Sequence, residues 1–295
     1  ISKGRTMTKP SLRKALDAGE FVCAPGIHDM IAAVIGNHVG LDFVYSSGYW
    51  GTASAQGIPD AGITTYSEML TRLQTLCATS QASVIADADT GFGGLLNVDH
   101  TVRGYEQAGA VGIQIEDQEF PKKCGHTPNK RGVATSDMVE KIKVACAARE
   151  NPSETLIIAR TDARQIEGFD GAVERGLAFR DAGADVVFLE ALQSEDEMRL
   201  ACERIDAPMM ANMADGGQTP ILPTSKLQEI GYSMAIFPAM TGLAAAAAIE
   251  KSLRLLKNEG TSQSPDLDLF SFATFNELIG FPKIWEFEKK WSAPK

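Results

Sequence analysis

Short apolar, β-branched runs alternate along the chain with longer stretches of helical period. The runs at 21–24, 43–46, 83–86, 112–115, 156–159, 186–189, 209–212 and 235–237 make eight candidate strands. Most are apolar throughout rather than alternating, which is how buried parallel strands read. Between them, 139–149, 171–182 and 195–205 carry a helical pattern. Three helix ends run into a glycine and then a strand, at Gly109, Gly183 and Gly231. A glycine there supplies the left-handed cap from which the chain re-enters the sheet. Eight βα units in roughly 250 residues predict an α/β fold, a (β/α)8 TIM-type barrel. A doubly wound open sheet is the alternative, but no strand-to-helix turn carries GxGxxG.

The pattern stops near residue 260. The barrel is assigned to 1–260 and a C-terminal helical tail to 261–295, with 266–271 as a loop and 274–279 and 283–291 as short helices. Trp285, Phe287 and Trp291 in that tail need a surface to cover them, on the barrel or on another subunit. The alanines at 244–248 belong to a short small-residue helix, and no apolar run is long enough to span a bilayer. No hydrophobic signal-peptide region follows residues 1–5, so none is expected.

Composition narrows the function. The 295 residues are 44% hydrophobic and 22% charged, as in a soluble globular protein. A net charge of −10 without any long basic block argues against nucleic acid or an anionic membrane as a partner. Five cysteines, odd in number and without a CxxC, point to a reducing, cytoplasmic setting rather than a disulfide framework or structural zinc.

Chemistry in a barrel of this kind sits at the C-terminal ends of the strands, and the polar residues fall there. Asp87 and Asp89 end the third candidate strand, two apart and so facing the same way. Glu116, Arg160, Glu190 and Asn212 end the fourth to seventh, and the loop after the second leads through Ser47, Gly48 and Tyr49 to Asp60. Asp60, Asp87, Asp89 and Glu116 bring four carboxylates to one mouth, where like charges would raise one another's pKa. A hard divalent cation removes that conflict, and Mg2+, with Mn2+ as a substitute, suits a set of oxygen donors. Any one of these acids could instead cap a helix or pair with Arg160. Arg160 offers a planar fork for a substrate carboxylate. Asn212 and Thr219 could donate to a second one. His28, His100 and Met240 read as ordinary structural residues.

One short stretch is unusual, the thiol of Cys124 between Lys122, Lys123, Gly125 and His126. Three neighbouring cations favour a thiolate. Taken with residues 87–93 (DADTGFG), 115–118 (IEDQ) and 159–162 (ARTD), this KKCGH pentad resembles the isocitrate lyase / phosphoenolpyruvate mutase superfamily, in its lyase branch. The stretch 126–130 is most similar to the short bacterial 2-methylisocitrate lyases. Residues 47–50 and 212–217 look closer to the group that includes 2,3-dimethylmalate lyase. The resemblance implies Mg2+ at the barrel mouth, with Asp87 as the direct ligand and Asp60, Asp89 and Glu116 holding its waters. It implies that Ser47, Gly48 and Tyr49 hold an α-oxo acid and that Arg160, Glu190 and Asn212 bind or orient substrate. It also implies a homotetramer, a dimer of dimers, with C-terminal helices swapped between subunits.

The expected reaction is cleavage of a 2-hydroxy di- or tricarboxylate into an α-keto acid and a second carboxylate. Tyr45, or Glu190 or a water, would take the hydroxyl proton. Cys124 would protonate the carbanion, with Lys122, Lys123 and His126 stabilising negative charge and the chain closing around Gly125. Hydrolysis of oxaloacetate, phosphonate P–C chemistry and a non-catalytic scaffold are the competing readings.

Overall fold

The structure is a computed structural model, and it describes residues 9–292 apart from His126 and Pro128. The expectations placed on His126 and on residues 1–5 lie outside the described residues.

Eight parallel strands run in chain order: β1 (Val22–Pro25), β2 (Phe43–Ser46), β3 (Ser83–Asp87), β4 (Ala110–Glu116), β5 (Leu156–Thr161), β6 (Val186–Leu189), β7 (Met210–Asn212) and β8 (Met234–Phe237). Strands β2 to β6 form one hydrogen-bonded run and β7–β8–β1 another. Single parallel bridges, Gly26 to Tyr45 and Val187 to Met209, join the two edge to edge into a ring. The helices are α1 (Leu12–Asp17), α2 (Met30–Val39), α3 (Gly48–Gln56), α4 (Tyr66–Thr79), α5 (Leu95–Ala108), α6 (Thr135–Ala148), α7 (Gly168–Asp181), α8 (Glu195–Arg204), α9 (Thr224–Ile230), α10 (Met240–Glu259), α11 (Phe272–Ile279) and α12 (Phe281–Trp291).

The strands read as continuously apolar because both faces are covered. Phe43, Ile85, Ile158, Val186, Phe188, Met210, Met234 and Ile236 fill the barrel, and Leu12 and Ala15 of α1 pack with them. The alternate residues, among them Val44, Val84, Ile113, Ile157 and Ala159, pack outward against α4, α5 and α6. Glycines at three helix-to-strand turns take positive φ as expected: Gly109 at 100°, Gly183 at 103° and Gly231 at 118°.

Two elements differ from the sequence reading. Residues 48–56 form a helix, α3, where only a polar loop was expected. Its start is fixed by Ser47, whose Oγ accepts from Trp50 N at 3.4 Å. The short alanine helix is instead the 20-residue α10, and it does not lie along the barrel: Gly242 is its one buried residue. Beyond Gly260, α11 and α12 bury no residue at all. Among the described residues no helix is long and apolar enough to cross a membrane.

Candidate active site

The period of the strands builds the site. Counting by twos from the interior residues Phe43, Ile85, Gly112, Ile158, Phe188 and Met210, the inward face continues at Tyr45, Asp87, Gln114 and Glu116, Arg160, Glu190 and Asn212. Seven side chains from six strands therefore meet at one end of the barrel, and every one is buried. All but Gln114 line a cavity of about 290 Å3 whose wall also includes Ser47, Tyr49, Trp50, Asp60, Lys122, Cys124 and Gly125.

The acids are arranged around cations. Lys122 Nζ lies 2.6 Å from Asp60 and 2.7 Å from Asp89. Burial pushes Asp89 up to about 6 against the pull of Lys122, and the charges of Asp87 and Asp60 add to the rise. Burial works against charge on Lys122, but the carboxylates of Asp89, Glu116, Asp60 and Asp87 override it and hold the ammonium well above its ordinary value. Asp87 accepts from Gly48 N at 3.1 Å and from Asp89 N at 3.0 Å. A Cβ on residue 48 would stand 2.8 Å from Asp87 Oδ2, so only glycine lets α3 begin this close to the acids. Asp89 itself holds a positive φ of 49°, a strained backbone of the kind that clusters at functional sites.

Arg160 is gripped on three sides. Its guanidinium meets Asp162 at 3.0 Å, Glu190 at 3.2 Å and Glu116 at 3.4 Å, and lies 5.2 Å from the Phe188 ring centroid. Burial lifts Glu116 well above the carboxylate range although Arg160 opposes it. Asn212 donates to Glu190 at 3.0 Å. Tyr45 donates its phenol to Gln114 at 2.9 Å, and burial, then the Asp87 charge, raise that phenol well above its ordinary value.

The pentad folds over this floor. Gly125 sits so close that a Cβ there would overlap Arg160 and fall 2.9 Å from Glu190. Cys124 is half-buried, lines the cavity and forms no disulfide. Its carbonyl accepts from Thr127 Oγ1 at 2.7 Å and from Thr127 N at 3.0 Å.

The structure thus brings together Tyr45, Ser47, Tyr49, Asp60, Asp87, Glu116, Lys122, Cys124, Gly125, Arg160, Glu190 and Asn212 around one space. Asp89 and Gly48 lie directly behind it, on Lys122 and Asp87. Thr219 is buried but forms no part of the cavity wall. Sequence reasoning missed Trp50, Ile236, Pro238, Ala239 and Leu243, which make an apolar side to the cavity, and also Gln114 and Lys130. A glutamine inside the apolar run 112–115 was a visible signal. The apolar wall gave none, because such residues read as core anywhere.

The donor set fits a divalent cation. Four carboxylates crowd one mouth, and the charges of Asp87 and Asp60 both raise Asp89, whose Oδ1 is held by Lys122. Among the described residues no three His, Cys, Asp or Glu side chains form a ready-made cage.

The family model described as phosphoenolpyruvate phosphomutase matches residues 12–257. The chain belongs to this family. Its relatives include 2,3-dimethylmalate lyase of Eubacterium barkeri, 42% identical, covering 97% of this chain and 98% of that protein. The 2-methylisocitrate lyase of Aeropyrum pernix is 42% identical over 92% of this chain and 86% of its own length. Among solved structures, oxaloacetate acetylhydrolase in complex with the inhibitor 3,3-difluorooxalacetate superposes with a TM-score of 0.90 at 30% identity, covering 96% of this chain and 97% of that one. The (β/α)8 barrel and the membership of the isocitrate lyase / phosphoenolpyruvate mutase superfamily expected from the motifs are both borne out. With relatives of this likeness the chain is an enzyme of the lyase kind.

Proposed function

We propose that this lyase cleaves a carbon–carbon bond in a 2-hydroxy dicarboxylate or tricarboxylate of the 2,3-dimethylmalate or 2-methylisocitrate type. The products are an α-keto acid and a second carboxylate. The observation that carries the reading is the single cavity lined by Cys124, Arg160, Glu190, Asp60, Asp87 and Glu116 together.

When bound among Asp87, Asp60, Asp89 and Glu116, a Mg2+ or Mn2+ ion supplies a Lewis acid for the substrate's hydroxyl and adjacent carboxylate. The chain does the rest. Arg160 and Asn212 orient the substrate, with Ser47 and Tyr49 at the opposite wall. The hydroxyl proton passes to Glu190 rather than to Tyr45, because Tyr45 is held as a protonated phenol and donates to Gln114. As the hydroxyl becomes a carbonyl, the neighbouring carbon–carbon bond breaks and its electron pair stays on the carbon beside the departing carboxylate. That carbanion takes the proton from Cys124 Sγ. Lys122 and Lys123, with His126, stabilise the resulting thiolate and the carboxylates. Gly125, having no side chain, lets the segment lie against Arg160 and Glu190, and its closure would exclude water.

The same geometry supports oxaloacetate hydrolysis as a second reading, favoured by the close superposition on oxaloacetate acetylhydrolase. The test is a panel of 2,3-dimethylmalate, 2-methylisocitrate, isocitrate, oxaloacetate and phosphonopyruvate with Mg2+, before and after chelation by EDTA. Keto-acid release from a branched hydroxy acid, lost with EDTA and restored by Mg2+, is the expected result. Oxalate from oxaloacetate alone would establish the second reading, and inertness toward the whole panel would contradict both.

The assembly we propose is a cytoplasmic homotetramer with exchanged C-terminal helices. Two features support it. The outer face of β1 and β8 is left as a groove of about 540 Å3 lined by Phe21, Cys23, Pro25 and Phe237, where a barrel's eighth helix would lie. Meanwhile α10 to α12 expose Ile249, Leu253, Leu256, Phe281, Ile284, Trp285, Phe287 and Trp291.

A further inference from the structure

The segment that carries Cys124 is an excursion between the end of β4 and the start of α6. Its base is a short ladder: Glu119 N donates to Arg131 O at 2.8 Å, Val133 N to Asp117 O at 2.9 Å, and Gln118 bridges Gly132. Above the ladder the backbone would be free to wander, because no sheet or helix extends there. Two buried side chains prevent this, one on each side of the cysteine.

On the N-terminal side, the Gln118 amide takes both backbone groups of Lys123. Its Oε1 accepts from Lys123 N at 3.0 Å and its Nε2 donates to Lys123 O at 2.8 Å. The same Nε2 donates to Glu116 Oε1 at 2.9 Å, which ties the clamp to the floor of the cavity. On the C-terminal side, Lys130 Nζ donates to the Gly125 carbonyl and to Asp162 Oδ1, the latter at 2.7 Å. Asp162 is fully buried and also receives Arg160, from Nε at 3.0 Å and Nη2 at 3.1 Å. Lys130 is 1% exposed and tolerates that burial because Asp162 pairs with it, and the pair holds its ammonium on the Gly125 carbonyl. The two clamps close on consecutive sides of one residue, and each shares its anchor with a group of the cavity floor, Glu116 or Arg160.

We infer that Gln118 and Lys130 are positioning residues that fix Cys124 over the cavity by gripping the backbone of Lys123 and Gly125. The inference rests on the reading of Cys124 as the proton donor. Neither side chain touches the reacting atoms; each acts through the backbone it holds. A proton donor displaced by about 1 Å loses up to a hundredfold in rate, so the clamps bear on turnover as well as on exposure of the thiol.

The test is iodoacetamide labelling of the substrate-free enzyme, followed by peptide mass spectrometry, in wild type, Gln118→Met and Lys130→Met. Buried Cys77 serves as the internal reference. Each variant should raise the labelling rate of Cys124 by about fivefold or more through local opening, with Cys77 unchanged. In each, kcat on the best substrate of the panel should fall by about tenfold to a hundredfold. Wild-type labelling of Cys124 in both folded variants would overturn the inference. A parallel rise at Cys77 would do the same, since it reports general loosening, as would failure of both variants to fold. Labelling needs no substrate, so absence of turnover in wild type would sink the lyase reading alone and leave the clamps to be judged by Cys124.

Discussion

Asp162 is quoted in a sequence motif without a role, yet it is the residue on which Arg160 and Lys130 meet. Burial penalises its charge, but Arg160 first and Lys130 second override that and lower it from its ordinary value to about 2. A carboxylate depressed in the folded state contributes stability that is complete above about pH 4 and lost as pH falls through about 2; for this shift the contribution is on the order of 2 kcal/mol. Urea unfolding of wild type between these limits should therefore lose stability faster than Asp162→Asn, which has no carboxyl to protonate. Parallel slopes would show that the pair is not what holds Arg160. At this scale the site was largely legible, because parity fixes direction: once Ile158 is known to point inward, Arg160 must follow, and so must Asp87 after Ile85. Lys130 was not legible. Its partners are a backbone carbonyl and an acid 32 positions away, and nothing local in the sequence marks either.

Strands were the most readable elements. β2 and β6 fall where the apolar runs placed them, and the others shift by one or two residues, since an apolar run does not say where pairing stops. α3 was missed because Gly48, Gly51 and Gly57 broke any helical pattern. Its start answers to Asp87 and Ser47, not to propensity. α10 was underestimated because its apolar positions face solvent in one subunit and give no core stripe to follow. It meets the site in its first turn, where Leu243 lines the cavity and Gly242 rests on the Trp50 ring. A Cβ there would overlap that ring, and Trp50 forms part of the cavity wall. Gly242→Ala should thus cost about 1–3 kcal/mol in chemical denaturation and raise KM for the hydroxy acid by moving the wall. An unchanged KM would mean that α10 can slide away from Trp50 without disturbing the cavity.

For the whole molecule, the acidic barrel mouth carries the proposed chemistry and the exposed C-terminal helices the proposed assembly. The helices leave a groove over β1 and β8 that none of the described residues fills. Light scattering should give a tetramer for the full chain and a smaller species for a chain ending at Gly260; equal masses would remove the tail from the assembly. Sequence marked the tail by its aromatic residues but not the groove, because the groove exists only once the ring of strands has closed. The proposed chemistry turns on one thiol at the mouth of that ring. The decisive comparison is wild type against Cys124→Ala for keto-acid release from the best substrate of the panel with Mg2+ present, alongside calorimetric binding of the product keto acid. Cleavage should fall by at least about a thousandfold with keto-acid binding retained, the signature of a lost proton donor. Turnover by Cys124→Ala near the wild-type rate would remove the thiol from the mechanism.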